Sequence, residues 1–193
     1  GNRNTAVGAH ELDAATTASY NAALGTFALS DNTTGANNTG LGYYALAVNT
    51  TASNNTAVGY QALTANTTGQ YNVAIGGSTL AASTTTSSNT AIGYAALYAN
   101  TTGTGHVAVG NGALDANTTG VSSTAVGYNA LTAATTADNN TAVGSSSLVS
   151  VTTGGYNTAV GFNSGGSLTT GAQNTIMGHR AGDALTTGTY NTA

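Results

Sequence analysis

Cysteine, proline and tryptophan are absent from this 193-residue chain, and charge is nearly absent too: Lys and Arg together number 2, Asp and Glu 6. Without cysteine there is no disulfide and no thiolate metal site. Without proline almost every backbone amide is free to donate, as an extended sheet requires. The only cations are Arg3 and Arg180, and the net charge of −4 argues against a nucleic-acid partner. No lysine is available to a phosphate-binding loop, and no pair of carboxylates recurs. No apolar run approaches the roughly 18 residues of a membrane span, and no signal-peptide pattern is visible. Low complexity of this kind often means disorder, but disordered chains usually carry high net charge and lack periodic aliphatic residues.

Periodicity is what the chain has. A glycine recurs every 17 residues: Gly8, Gly25, Gly42, Gly59, Gly76, Gly93, Gly110, Gly127, Gly144, Gly161 and Gly178. An aliphatic residue precedes each one: Val7, Leu24, Leu41, Val58, Ile75, Ile92, Val109, Val126, Val143, Val160 and Met177. A Thr-Thr pair follows every glycine, from Thr16-Thr17 to Thr186-Thr187, and nine copies carry a leucine between, from Leu12 to Leu148. In the last two copies that slot holds Gly165 and Gly182, and leucine reappears three residues later as Leu168 and Leu185. A fixed short period without insertions predicts one small unit stacked about eleven times, an all-β parallel solenoid filling residues 1–193 as a single array. The array opens and stops inside a repeat with no capping pattern, so a segment of a longer fibre is expected.

Stacking also accounts for the scarce charge. Equivalent residues of successive coils would lie about 4.8 Å apart, where like charges repel by about 0.9 kcal/mol even in bulk water. Asp13, Asp115 and Asp183 share one column but never occupy adjacent coils. The asparagine column runs almost unbroken from Asn4 to Asn191, interrupted by His106 and Ser123; amides donate and accept along a stack and form ladders.

Within a coil, Thr5-Ala6-Val7-Gly8 and its equivalents read as a strand, with Thr5 and Val7 on one face and Ala6 and Gly8 on the other. The aliphatic column is expected to form the structural core, leaving the Ala/Gly face for close approach by another backbone. The segment Tyr60-Gln-Ala-Leu-Thr-Ala65 reads as a second short strand or one helical turn. Asn66-Thr67-Thr68-Gly69 has turn chemistry, glycine supplying positive φ in many copies. One coil offers about two sizeable apolar side chains, too few to offset the ordering of its backbone, so association of several chains is expected. The aromatics after the glycine (Tyr43, Tyr60, Tyr94, Tyr128, Phe162) are candidate interface or ligand-stacking residues.

Asn55-Thr-Ala-Val-Gly-Tyr60, Asn89-Thr-Ala-Ile-Gly-Tyr94 and Asn174-Thr-Ile-Met-Gly-His179 resemble the repeat of YadA-like trimeric autotransporter adhesin heads and related phage tail-fibre repeats, along the whole chain. The 17-residue period is longer than that family's usual coil. The resemblance implies a left-handed β-roll, a homotrimer, and an extracellular rod on a cell surface or virion that extends and presents an attachment surface. No catalytic, cofactor or metal site is expected. His10, His106 and His179 occupy three different columns, so stacking does not gather them. Eight Asn-x-Ser/Thr sequons (Asn32, Asn37, Asn49, Asn54, Asn66, Asn100, Asn117, Asn139) read first as a by-product of turn chemistry and second as glycosylation sites. Three function classes follow: a structural fibre, foremost; glycan or surface binding through the tyrosines; and ice binding through the threonine columns. An enzyme is not expected.

Overall fold

A computed structural model describes all 193 residues. Eleven three-residue strands, from β1 (Thr5–Val7) to β11 (Thr175–Met177), form one parallel sheet in strict chain order. The register equals the sequence period: Thr39 pairs with Thr56, Ala57 with Ala74 and Val109 with Val126. The chain is thus a parallel β-solenoid with one strand per coil.

Such short strands cannot hold the stack alone. Of 115 backbone hydrogen bonds, 95 lie outside the strands, and most of these join one coil to the next through the turns. Gln61 N–H donates to the Tyr43 carbonyl on one side (2.9 Å) while Leu63 N–H donates to Thr79 on the other (2.9 Å). The Tyr60–Ala65 segment is therefore neither a second strand nor a helical turn. It is a run of turns with left-handed residues at Gln61 (φ 53°) and Leu63 (φ 52°). That geometry costs a non-glycine residue about 1–3 kcal/mol and persists only when its surroundings impose it. Here the imposed condition is a continuous hydrogen-bond ladder on both sides.

Glycine is required where coils approach. A Cβ on Gly59 (φ 131°) would sit 2.5 Å from the Gly76 carbonyl oxygen of the next coil, and the same conflict recurs along the column. The turn glycines play a different part from the one expected. Gly69 and Gly103 do not have positive φ; a Cβ on either would sit 2.5 Å from the Oδ1 of Asn66 or Asn100, so close packing selects them.

The alternation of the strand is as expected, but its inside and outside are reversed. The middle strand residue points inward, with Ala57, Ala74, Ala91, Ala108, Ala125, Ala142 and Ala159 fully buried. The expected core column faces outward. Val7, Leu24, Leu41, Ile75, Ile92, Val143 and Met177 are exposed, and Val58, Val109, Val126 and Val160 are half-buried. The reason is width. The interior is filled from the opposite wall by the leucine column, Leu29 to Leu148, every member 0% exposed. A Cβ on Gly40 would lie 3.3 Å from Leu29 Cγ, so only a methyl-sized group fits between strand and leucine. The last coils exchange volumes consistently with this. Gly165 and Gly182 replace leucine, and the strand middle becomes Ile176, whose Cδ1 lies 2.9 Å from where a Cβ on Gly165 would be. Leu168 fills the column that Asn32 and Asn66 occupy in earlier coils and is fully buried.

Leu63→Ala should therefore cost about 2–5 kcal/mol in chemical denaturation of the monomeric chain. Val58→Ala, half-buried on the outward face, should cost about 1 kcal/mol or less. Equal losses would contradict the inward and outward assignment.

Candidate functional site

Two asparagine columns line the interior beside the leucines. In the first, each Oδ1 accepts the backbone N–H of the equivalent asparagine in the next coil, as Asn55 does from Asn72 (3.0 Å). Each Nδ2 donates to a backbone carbonyl fourteen residues on, as from Asn72 to Thr86 (2.8 Å). In the second, Nδ2 closes the Thr-Thr turn, as from Asn66 to Gly69 (3.0 Å) and to Asn49 Oδ1 (3.0 Å). Except at Asn117, whose amide has no partner, these side chains satisfy backbone groups that would otherwise be buried unpaired, at a cost of about 1–3 kcal/mol each. The second column also decides the sequons. Asn32, Asn49, Asn66, Asn100 and Asn117 are 0% exposed and closed to modification in the folded chain, whereas Asn37, Asn54 and Asn139 are exposed.

His106 takes an asparagine's place in the first column and imitates it. Ser123 N–H donates to His106 Nδ1 (3.2 Å) and Nε2 lies 2.6 Å from the Gly120 carbonyl. Those partners fix the neutral tautomer protonated at Nε2, with one acceptor and one donor where asparagine has Oδ1 and Nδ2. The other histidines lie outside. His10 pairs with Asp13 (2.9 Å), and His179 stacks on Phe162 (5.4 Å). No three His, Cys, Asp or Glu side chains come together as a metal-binding group.

The outward face of the sheet repeats along the whole array. Two columns run side by side along it: the Thr5 column, mostly threonine with Ala22, Val73 and Val107, and the aliphatic column from Val7 to Met177. At about 4.8 Å per coil this face is about 50 Å long. Where alanine replaces threonine at Ala22, a shallow hollow of about 270 Å³ opens between Val7, Leu24, Thr39 and Leu41.

Tyr43, Tyr60, Tyr94 and Tyr128 are all exposed on a different side, with Phe162 continuing their column. Tyr43 and Tyr60 stack in parallel, 5.7 Å between centroids, and Tyr43 meets Tyr44 edge to face at 4.5 Å. Tyr94 and Tyr128 are separated from that pair by Gly77 and from each other by Asn111, so the column is a set of islands. Sequence reasoning missed a third surface, a cleft of about 340 Å³ between Tyr94 and Tyr98 with Asp115 at its edge. Tyr98 and Asp115 fall in one column in adjacent coils, which was the available signal.

No family model, no curated protein and no solved structure matches this chain. No helix is long and apolar enough to cross a membrane.

Burial holds the His106 imidazole below its usual 6.5, against hydrogen bonds to Gly120 and Ser123 and the charge of Asp138, which favour the proton. Above pH 6.5 folded and unfolded states are both neutral, and this contribution to stability is complete. Below it the unfolded chain takes up a proton that the folded ladder refuses, so stability falls as pH falls towards the folded value. Denaturation midpoints compared at about pH 7 and about pH 5 should show a loss in the native chain that is smaller in His106→Asn. An equal loss in both would place the acid sensitivity elsewhere.

Proposed function

We propose that this chain is a structural segment of an extracellular fibre, in which several copies pack through the outward faces of their sheets to form a rod that extends and presents an attachment surface. The observation that carries this reading is the unbroken aliphatic column from Val7 to Met177 on the outside of a molecule whose own interior is already full. A soluble chain seldom leaves so long an apolar stripe uncovered unless something covers it. A second copy suits it well, because the stripe is uniform along the axis and carries no charge. The resemblance of the Asn-Thr-Ala-Val-Gly-Tyr repeat to YadA-like heads and tail-fibre repeats supports three copies, left-handed coils and a cell-surface or virion location. The proposed role is structural rather than catalytic, supported by columns that repeat one surface along the axis.

A second reading is favoured by one specific feature. Thr-x-aliphatic in most strands sets hydroxyl and methyl groups in two ranks on the same outward face, an arrangement suited to binding ice. The two readings compete for one surface. In the first it is buried between chains; in the second it stays in water.

Sedimentation velocity distinguishes them. The native chain should be oligomeric at about 100 μM, and Ile92→Asp with Val126→Asp should leave a monomer with unchanged far-ultraviolet circular dichroism. A native monomer at that concentration would overturn the assembly, and thermal hysteresis from such a monomer would establish the second reading.

A further inference from the structure

We propose that the cleft between Tyr94 and Tyr98 binds an organic cation, an alkylammonium group whose charge pairs with Asp115 and whose carbon substituents lie against the two rings. The comparison that points to it lies within the chain. Three aspartates share one column, and two of them are bonded by a side chain three positions earlier: Asp13 by His10 and Asp183 by Arg180, each at 2.9 Å. At Asp115 that position is Gly112, and in the coil above it is Ala95. Asp115 accepts no side-chain hydrogen bond and joins no ion pair, although it is half-buried and its carboxyl is held above the usual range by desolvation. A carboxylate in that condition gains most from a cation supplied from outside.

Gly112 brings no side chain to Asp115, and on the side of the preceding coil the surface beside the carboxylate is open and aromatic. Ser78, Tyr94, Ala95, Tyr98 and Asp115 line about 340 Å³, enough for a small ammonium ion and its substituents. Only this coil carries tyrosine in both columns, and both rings are well exposed, at 62% and 48%. Aromatic faces attract ammonium groups through their quadrupole, and a carboxylate adds direct charge. The chain has no lysine and only two distant arginines, so it supplies no competing cation of its own. The His10 site shows a comparable geometry made internally, a nitrogen donor group against Asp13 with its ring stacked on Phe27 at 5.0 Å. This site lies on a different side from the outward sheet face and does not depend on the fibre reading.

The test is an NMR titration of the full chain with tetramethylammonium, butylammonium and, separately, glucose, following the backbone amides of Ala95, Tyr98 and Asp115. Saturable shifts confined to these coils are expected with at least one of the two cations, and Asp115→Asn and Tyr98→Ala should each weaken binding by about fivefold or more. Preference for tetramethylammonium would indicate a quaternary headgroup as the natural ligand, and preference for butylammonium a lysine-like side chain; either supports the site. Asp115 makes no side-chain bond within the chain, so Asp115→Asn should leave the amide shifts of other coils unchanged, which separates lost binding from lost structure. No saturable shift from either cation below about 100 mM, equal affinity in Asp115→Asn, or glucose binding as tightly as the cations would overturn the proposal.

Discussion

Each residue of this protein must tolerate its own equivalent directly above and below it. Coil-to-coil backbone hydrogen bonds fix that separation at about 4.8 Å, in the turns as well as in the strands. Glycine every 17 residues follows, because any side chain at Gly59 would collide with the carbonyl of Gly76. Left-handed backbone at residues as bulky as Leu63 follows too, since the ladder on both sides holds it there. Charge must be sparse for the same reason, and the asparagine column through Asn55 and Asn72 serves because a primary amide can satisfy a neighbour on each side.

Cross-section is the second constraint. One strand and a set of turns enclose a space wide enough for a single leucine per coil and little else, so alanine must back it from the strand. The final coils show the constraint by exchange: glycine takes the leucine slot, isoleucine the alanine slot, and leucine an asparagine slot. The volume is kept while its origin rotates around the coil. A full interior in turn leaves the outer aliphatic column as surplus apolar surface, and the proposed assembly follows from that surplus.

The solenoid, its register and the strand at Thr5–Val7 were legible in the sequence because they rest on period and alternation, which do not depend on what lies across the interior. Which face of the strand points inward was not legible. Val58 is larger and more apolar than Ala57, and hydrophobicity alone places it inside; the Leu63 side chain that already fills that space belongs to a segment whose αL turns have no sequence signature. The glycines of the Thr-Thr turns were misread similarly, since glycine serves both positive φ and close approach, and only coordinates separate the two for Gly69 and Gly103. Of the candidate sites, Tyr43, Tyr60, Tyr94 and Tyr128 are exposed, and the Asp115 cleft was signalled in the sequence only by Tyr98 and Asp115 sharing a column in adjacent coils.

Rise per coil is the quantity on which every column, ladder and surface above depends. Nitroxide labels at exposed Thr17→Cys and Thr102→Cys, and at Thr17→Cys and Thr187→Cys, are five and ten coils apart in a chain without native cysteine. Pulsed electron–electron resonance on labelled chain diluted into unlabelled chain should give narrow distributions near about 24 Å and about 48 Å, doubling with the number of coils. Distances that fail to double, or a broad distribution for the longer pair, would contradict in-register stacking.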